Sequence, residues 1–247
     1  MKHGDCEALT KSPENAKLEG VIARALEFVT EGAKIGLGSG RASCAFVQAL
    51  GQRVASGLHV QGVPTSETTS QLATSLNIPL IQLTEDVILD LTVDGADEVA
   101  PNLDLIKGWG GALVRERIVA AASSQQIIIV GPEKLVQTLG QRGRIPVEVI
   151  PLGLGYVLRK LKEIGLVPAL RLTPDASQPA LSDNGNNIVD CALKSPLLDG
   201  AAARKLEARI LEIAGVVDTG MFLGTCSRVL VAKSDGSFSL MERKANY

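Results

Sequence analysis

Apolar positions in the first half of the chain alternate between short continuous runs, which predict strands, and repeats spaced by three and four residues, which predict helices. The predicted strands are 34–37, 58–62, 87–93 and 126–130, and the predicted helices are 13–31 (with Gly32 as its stop), 43–50, 67–76 and 112–123. Such alternation predicts an α/β fold, with a mostly parallel Rossmann-like sheet that carries helices on both faces.

After Lys134 the pattern changes, because prolines separate shorter elements. The predicted strands there are 147–150, 169–172, 188–191 and 216–222, and the predicted helices are 154–164 and 201–214. A small inserted α+β domain is the simplest account of this change. We predict an α/β catalytic domain of residues 1–145 and 221–247, to which 228–232 returns as a strand, and a smaller α+β domain of residues 146–220.

The amino-acid composition and the net charge limit the kinds of molecule that the chain could bind. Hydrophobic residues make up 45% of the 247 residues and aromatic residues only 3%, so the core is built from Ala, Val, Leu and Ile. The net charge of -2 provides no basic field for nucleic acid or an anionic membrane, so any phosphate must be held locally. Without an apolar signal-type segment at the start or a membrane-length run, we expect a cytoplasmic protein.

Cysteine and histidine usage argues against a metal site. The four cysteines, Cys6, Cys44, Cys191 and Cys226, lack metal-type spacing, so we interpret them as reduced thiols. The only histidines are His3 and His59, which leaves little support for a histidine-based metal site or catalytic dyad.

Acidic and basic residues concentrate around positions 94–116. Asp94, Asp97 and Glu98 follow a predicted buried strand, at the end where open α/β sheets bind ligands. Lys107 precedes the run Gly108-Trp-Gly-Gly111, and helical spacing puts Glu116 on one face with Ala112 and Ala120. Each residue alone could be a solvated surface group or a helix cap. Together they favour proton transfer near an anionic substrate.

The run Gly36-Leu-Gly38-Ser-Gly40 follows a predicted strand and precedes a helix. A nicotinamide site is disfavoured because the third glycine of the dinucleotide motif would fall at Arg41, and no acidic residue lies near 56–60. A P-loop is excluded because no lysine followed by Ser or Thr comes after the glycines of this run. Small residues before a helix could still let backbone amides approach a phosphate. The alternative is a turn that only packs strand against helix.

Together these segments resemble the A-type ribose-5-phosphate isomerases. Further stretches look like landmarks of that family in the family's order, so the resemblance covers about residues 17–232: Pro64–Ser66, Lys134–Val136, Pro146–Pro151, Asp183–Asn186, Gly215–Val217 and Gly220–Phe222. The resemblance implies a larger α/β domain with a smaller one. It also implies an aldose–ketose isomerase of the non-oxidative pentose phosphate pathway, active on D-ribose 5-phosphate and D-ribulose 5-phosphate, without cofactor or metal and assembled as a homodimer or homotetramer.

The family's residue roles carry over to matching positions. Glu116 would be the base that moves a proton between C2 and C1, Lys107 would stabilise the enediolate, and Asp94 and Asp97 would assist ring opening. The residues expected to hold the phosphate end of the substrate are Gly38, Ser39, Gly40, Arg41, Ala42 and Lys134, and Thr65 and Ser66 are either further donors or helix caps.

Two departures from the family pattern stand out. Arg41-Ala42 replaces a Ser-Thr pair, so Arg41 either contacts the phosphate or points away and leaves Ser39 and Ser43 to bind it. Trp109 replaces a glycine, and its indole either covers the substrate pocket, narrows substrate choice or fills an interface.

Two competing functions remain. Sugar-phosphate deaminases and CoA transferases use related scaffolds, but a deaminase needs a histidine near the site, and His59 is poorly placed for that. A sugar-phosphate sensor without catalysis would need a DNA-binding part, and no basic helix-turn-helix segment is visible. The joint presence of Asp94, Asp97, Lys107 and Glu116 favours the isomerase.

Overall fold

A computed structural model describes residues 18–195 and 197–243. They form two compact units. The described part of the first unit comprises residues 18–96, 115–134 and 225–243, and that of the second comprises 97–114 and 135–224 apart from residue 196.

The described elements are numbered here in chain order. The α-helices are α1 (Glu19–Leu26), α2 (Arg41–Ala55), α3 (Glu67–Ser75), α4 (Leu113–Ala121), α5 (Leu154–Glu163) and α6 (Gly200–Leu211). The strands are β1 (Lys34–Leu37), β2 (Gln61–Pro64), β3 (Leu91–Asp94), β4 (Glu98–Val99), β5 (Leu105–Ile106), β6 (Gln126–Val130), β7 (Ile145–Val149), β8 (Leu166–Leu170), β9 (Asn187–Leu193), β10 (Val216–Thr219), β11 (Met221–Phe222), β12 (Arg228–Ala232) and β13 (Phe238–Glu242). Short 3-10 helices cover Pro132–Lys134 and Pro151–Gly153.

The first unit is built on a six-stranded sheet in the order β13-β12-β6-β3-β1-β2. Every neighbouring pair is parallel except β12 with β13. Strand β6 is buried along its whole length, as expected for a parallel strand covered on both faces. The mostly parallel α/β fold is therefore confirmed, and so is the return of 228–232 to the first sheet.

The second unit contains an antiparallel four-stranded sheet in the order β10-β7-β9-β8 and a three-stranded sheet in the order β11-β5-β4. Its apolar cluster includes Val147, Val157, Leu161, Val189 and Ile210, which come from strands and helices of this unit. The separate α+β region predicted after Lys134 is thus present. The predicted domain boundaries themselves stay a prediction.

Several element bounds differ from the predicted ones. The strand expected at 87–93 begins only at Leu91, because Asp90 binds the backbone N–H of Lys34 through its side chain (2.8 Å) and Ile88 is 71% exposed. Helix α1 ends at Leu26, so Gly32 is not its stop, although Gly32 has a positive φ of 76°. Ala16, which supported the predicted start of this helix, lies outside the described residues.

The prediction of reduced thiols holds only in part. Cys191 and Cys226 are free and buried, whereas Cys44 is disulfide-bonded, so the prediction is wrong for Cys44. Cys6 and His3 lie outside the described residues.

Within the described ranges, every helix is too short or too polar to cross a bilayer.

Candidate active site

A glycine-rich loop joins β1 to α2 and passes directly beside Asp94. A Cβ atom at Gly38 would lie 2.2 Å from Asp94 Oδ1, so only glycine fits there. Gly40, at the start of α2, has a φ of 92°, a conformation that favours glycine. Arg41 is exposed, and Ser39 and Gly40 are partly exposed. The loop therefore presents its apex to solvent, at the N-terminus of a helix, where an anion is favoured.

Asp94 is the last residue of β3, as the sequence predicts, and it is fully buried (0% exposed). Its Oδ1 accepts hydrogen bonds from the backbone N–H of Ser39 (3.1 Å) and Gly95 (2.7 Å). Ser43 Oγ lies 3.0 Å from the same oxygen and 3.0 Å from the Ser39 carbonyl oxygen. Asp94 thus joins the end of its strand to the glycine-rich loop.

A network of hydroxyl groups supports the same loop. Ser39 Oγ lies 2.7 Å from Thr65 Oγ1 and 2.8 Å from Ser66 Oγ. Ser66 also accepts from the backbone N–H of Thr69 (3.2 Å), so of its two expected roles the structure shows the cap of α3. Thr69 donates to the Gly38 carbonyl oxygen (3.0 Å) and was not predicted, because only the packing of α3 against the loop brings it there.

Glu116 lies in the first turn of α4 and is only 5% exposed. Ala112 and Ala120, predicted to share its helix face, are also buried, so the face is a buried one. The adjacent Arg115 pairs with Glu67 (2.8 Å). The Glu116 side chain is therefore buried, whereas Arg115, the preceding residue, forms its ion pair with Glu67.

Lys134 ends the 3-10 helix Pro132–Lys134 that follows β6 and is partly buried. Its backbone N–H donates to the Gly131 carbonyl oxygen (3.1 Å). The lysine therefore belongs to the same unit as the glycine-rich loop and follows a strand of the six-stranded sheet.

Asp97 and Lys107 belong to the second unit. The backbone N–H of Asp97 donates to the Ile106 carbonyl oxygen (2.8 Å), and Asp97 Oδ2 accepts from the backbone N–H of Trp109 (2.9 Å). The side chain of Asp97 therefore reaches the turn that follows Lys107.

Lys107 is 2% exposed, and its Nζ lies 5.6 Å from the centre of the Phe222 ring. Its backbone N–H donates to the Gly220 carbonyl oxygen (2.8 Å), and a Cβ at Gly220 would lie 2.2 Å from the Lys107 carbonyl oxygen. A buried ammonium group is costly unless it is paired or used, so its burial marks a functional candidate.

Trp109 packs within its own unit. Its Nε1–H donates to the Arg144 carbonyl oxygen (3.2 Å), and the guanidinium groups of Arg142 and Arg144 lie 5.3 and 4.8 Å from its ring centre. The indole also packs against the apolar cluster of the second unit. These contacts give Trp109 a packing role inside the second unit, which is none of the three roles expected from the sequence.

Glu98 lies close to the candidate residues in sequence but has a structural role. It is fully buried in β4, and its two carboxylate oxygens accept from the backbone N–H of Gly140 and Arg142, both at 2.6 Å. Burial raises its pKa above the usual range, and these hydrogen bonds oppose the shift.

Among residues 18–195 and 197–243, no group of three or more His, Cys, Asp or Glu side chains is placed to hold a metal ion. The candidate residues divide into Asp94, Glu116, Lys134 and the glycine-rich loop in the first unit, and Asp97 and Lys107 in the second.

Comparison with known proteins identifies the family. Residues 61–236 match the family model of ribose 5-phosphate isomerase A (phosphoriboisomerase A). The ribose-5-phosphate isomerase A of Parvibaculum lavamentivorans is 46% identical over 220 residues, which covers 87% of this chain and 93% of that protein.

Solved structures agree. The ribose 5-phosphate isomerase A of Methanocaldococcus jannaschii is 37% identical and superposes with a TM-score of 0.85, covering 94% of this chain and 100% of that one. A D-ribose-5-phosphate isomerase in complex with phospho-erythronic acid is 33% identical, with a TM-score of 0.86 and coverage of 93% and 99%. The resemblance inferred from the motifs is confirmed, and this chain belongs to the ribose-5-phosphate isomerase A family.

Proposed function

We propose that this chain interconverts D-ribose 5-phosphate and D-ribulose 5-phosphate in the non-oxidative pentose phosphate pathway. Membership of the isomerase family supports the reaction. The structural observation that carries the proposal is the burial of Glu116 and Lys107, which are 5% and 2% exposed. A carboxylate and an ammonium group kept from water in this way suit proton abstraction and the stabilisation of an enediolate.

The reaction requires the furanose ring to open and a proton then to move between C2 and C1. In the proposed mechanism Glu116 removes the C2 proton of the opened aldose, which gives an enediolate and a neutral carboxylic acid. The same acid returns the proton to C1 while the hydroxyl proton on O2 passes to O1. The C2 carbonyl of the ketose then forms, and the base is regenerated at the end of the turnover.

Lys107 would stabilise the negative charge on the enediolate oxygens. Charge stabilisation is stronger where water is excluded, as it is around this side chain. Asp94 and Asp97 would assist ring opening by relaying hydroxyl protons. The hydrogen bonds that hold each carboxylate, from the Ser39 and Trp109 backbones respectively, would fix the orientation needed for this relay.

The phosphate end would be held by Gly38, Ser39, Gly40, Arg41 and Ala42 together with Lys134. The exposed apex of the loop and the N-terminus of α2 favour an anion. A relative has been solved in complex with phospho-erythronic acid, which supports a phosphorylated ligand for this chain.

The test is an aldose-to-ketose assay with purified protein and ribose 5-phosphate, with and without a chelator. We expect activity that survives chelation, and a rate that falls about 100- to 10,000-fold in Glu116→Gln. The exposed Glu85 provides a matched control, and Glu85→Gln should leave the rate unchanged. A Glu116→Gln protein that folds normally and turns over at near-normal rate would contradict the assignment of the base.

The same preparation separates the competing functions. A deaminase would release ammonia from an aminohexose phosphate, and a sensor would bind ribose 5-phosphate without converting it. Either result, without isomerase activity in the wild type, would overturn the proposal.

We further propose that the chain acts in the cytoplasm as a homodimer or homotetramer. Exposed apolar side chains support self-association: Leu152 is 99% exposed, Ile150 48% and Val217 37%. The domain proposal, with residues 1–145 and 221–247 separate from 146–220, is tested by native-state hydrogen exchange, in which residues 146–220 should open as a unit of their own. Fractionation of cells that express the protein tests its location.

A further inference from the structure

The turn after Lys107 is rich in glycine and contains one large side chain. Residues 108–111 read Gly-Trp-Gly-Gly, and Trp109 is the only tryptophan in the chain. Gly108 and Gly111 both have a φ of 92°, and the N–H of Gly111 donates to the Gly108 carbonyl oxygen (3.0 Å). Glycine loses more conformational freedom on folding than any other residue. A turn with three glycines therefore needs anchors to keep one conformation.

The indole supplies the first set of anchors. Its Nε1–H reaches the Arg144 carbonyl oxygen, and two guanidinium groups flank its ring, those of Arg142 at 5.3 Å and Arg144 at 4.8 Å. Guanidinium groups stacked on an indole are attracted by the charge distribution of the ring. Both arginines come from the segment just before β7, so the turn is fastened to a different part of the same unit.

Arg171 supplies the second set by binding the backbone of the turn. Its Nη1 donates to the carbonyl oxygens of Gly108 (3.2 Å) and Trp109 (3.0 Å). Asp190 holds the same guanidinium group from the other side, with Arg171 Nε 2.9 Å from Asp190 Oδ2. Arg144 also donates to this carboxylate (3.2 Å). Asp190 therefore links Arg171, which binds the backbone of the turn, to Arg144, which stacks on the indole ring of Trp109.

Asp97 is attached to this turn directly and also through Arg142. Its Oδ2 accepts the backbone N–H of Trp109 (2.9 Å), and its own carbonyl oxygen accepts Nη1 of Arg142 (2.7 Å), the arginine that stacks on the indole. The orientation of the Asp97 carboxylate is thus tied to the position of Trp109.

We infer that Trp109 is a positioning residue for Asp97. Arg171 is the brace, which means that it holds the backbone of the turn that contains Trp109. The inference rests on the proposed function, because it gives Asp97 a role in ring opening. Removal of the indole leaves four consecutive glycines and frees the N–H that aligns the carboxylate. The chemistry should then slow while the residues assigned to the phosphate end are unaltered.

A double-mutant cycle tests this coupling, because residues that act through each other give non-additive effects. We expect Trp109→Gly to lower kcat about 10- to 100-fold with little change in KM, in keeping with a small misplacement of a reacting group. In an Asp97→Asn background the same substitution should have almost no effect. Trp109→Phe keeps a ring for stacking and should retain most of the rate.

Phe28 offers a matched control, since its ring lies between Arg24 and Arg228, at 4.9 and 5.2 Å. Any effect of Phe28→Gly should be equal in the wild-type and Asp97→Asn backgrounds. Equal losses from Trp109→Gly in both backgrounds would overturn the inference, because they would mean that Trp109 supports only the fold.

A second measurement does not depend on activity or on the Trp109→Gly protein. Because Trp109 is the only tryptophan, its emission reports on the turn. Arg171→Met should shift the emission to the red and increase quenching by acrylamide, whereas Arg159→Met, at a surface ion pair of the same unit, should do neither. An unchanged emission spectrum in Arg171→Met would show that Arg171 does not hold the turn in place. A wild-type protein without isomerase activity would refute the proposed function instead, and the emission would still decide whether Arg171 anchors the turn.

Discussion

Glu148 is a fully buried carboxylate (0% exposed) in the antiparallel sheet of the second unit. Its Oε1 accepts hydrogen bonds from Ser182 Oγ (2.8 Å), Asn184 Nδ2 (3.1 Å) and Asn186 Nδ2 (2.9 Å). Its Oε2 has no hydrogen-bond partner among the described residues. One oxygen atom therefore organises the whole loop of residues 182–186.

We expect Glu148→Ala to lower the free energy of unfolding by about 3 kcal/mol, because a fully buried carboxylate that accepts three hydrogen bonds is removed. Glu148→Gln keeps an acceptor oxygen and should cost only about 1 kcal/mol. Urea denaturation measures both. The exposed residue Glu85 is the control, and Glu85→Ala should stay within about 0.5 kcal/mol of wild type. Equal losses for the two Glu148 variants would mean that the three hydrogen bonds contribute little.

Burial also determines the chemistry of Cys191. It raises the pKa of this thiol from 9.0 to about 12, with the charge of Asp190 adding to the shift. At pH 8 the folded protein should therefore resist alkylation by iodoacetamide at Cys191, and the urea-unfolded chain should react readily. Since the unfolded thiol ionises first, stability should also fall as the pH rises from 9 towards 12. Peptide mass spectrometry follows the alkylation, and rapid labelling of folded protein at pH 8 would contradict the prediction.

For single residues, the sequence predicts some structural positions and misses others, and the difference has a physical reason. The position of Asp94 follows from local pattern, since it ends an apolar run. Glu98, Glu148 and Thr69 have no such local signal, because their partners lie 42–44, 34–38 and 31 residues away in the chain. Only the folded chain brings these donors and acceptors together.

The helices and the parallel strands are the elements that the sequence predicts best. Strands β6 and β12 have the predicted bounds, because long buried runs leave few alternatives. The two-residue strands β4, β5 and β11 are too short to produce a periodic pattern. They form because β5 pairs with both β4 and β11, and the β11 partner comes more than a hundred residues later. Their pairing holds Lys107 next to Gly220.

Gly220 separates β10 from β11 and allows Lys107 to approach. A Cβ there would lie 2.2 Å from the Lys107 carbonyl oxygen and 2.8 Å from Pro146 Cδ. We expect Gly220→Ala to destabilise the protein by about 3 kcal/mol, because both contacts involve rigid groups. Gly155, within helix α5, is the matched control because an added Cβ meets no atom within 4 Å.

Gly155→Ala should therefore stabilise the protein by about 0.5–1 kcal/mol, the usual gain from alanine inside a helix. Thermal unfolding of the two variants beside wild type measures the opposite shifts. If Gly220→Ala and the wild type unfold at the same temperature, the backbone near Lys107 can move enough to accommodate the added Cβ.

Over the whole molecule, the chain passes four times from one compact unit to the other, at 96–97, 114–115, 134–135 and 224–225. The single insertion predicted from the sequence would involve only two passages. The additional two come from residues 97–114, which contain β4 and β5 and the catalytic candidates Asp97 and Lys107. Proline content and periodicity mark the later insertion, but nothing comparable marks the shorter segment, because its strands become evident only through their pairing.

Self-association is the property of the whole molecule that the described surface predicts most directly. Ile150 follows β7, and its backbone N–H donates to the Gly215 carbonyl oxygen (2.9 Å), just before β10, which contains Val217. With Leu152 these residues form an exposed apolar patch next to a sheet edge. Burial of Leu152 against a second copy would remove it from water, which stabilises an assembly by about 1.5–3 kcal/mol for each such side chain.

We therefore expect wild type to sediment as a dimer or tetramer, and Leu152→Asp to sediment as a smaller species, because the carboxylate would have to be buried unpaired. Ile88 is the control, since it is also exposed (71%) but stands among the exposed residues Glu85, Asp86 and Asp90 of the first unit. Ile88→Asp should leave the sedimentation coefficient unchanged. If Leu152→Asp and wild type sediment alike at the same protein concentration, the apolar patch at 150, 152 and 217 is not the contact through which the chain assembles.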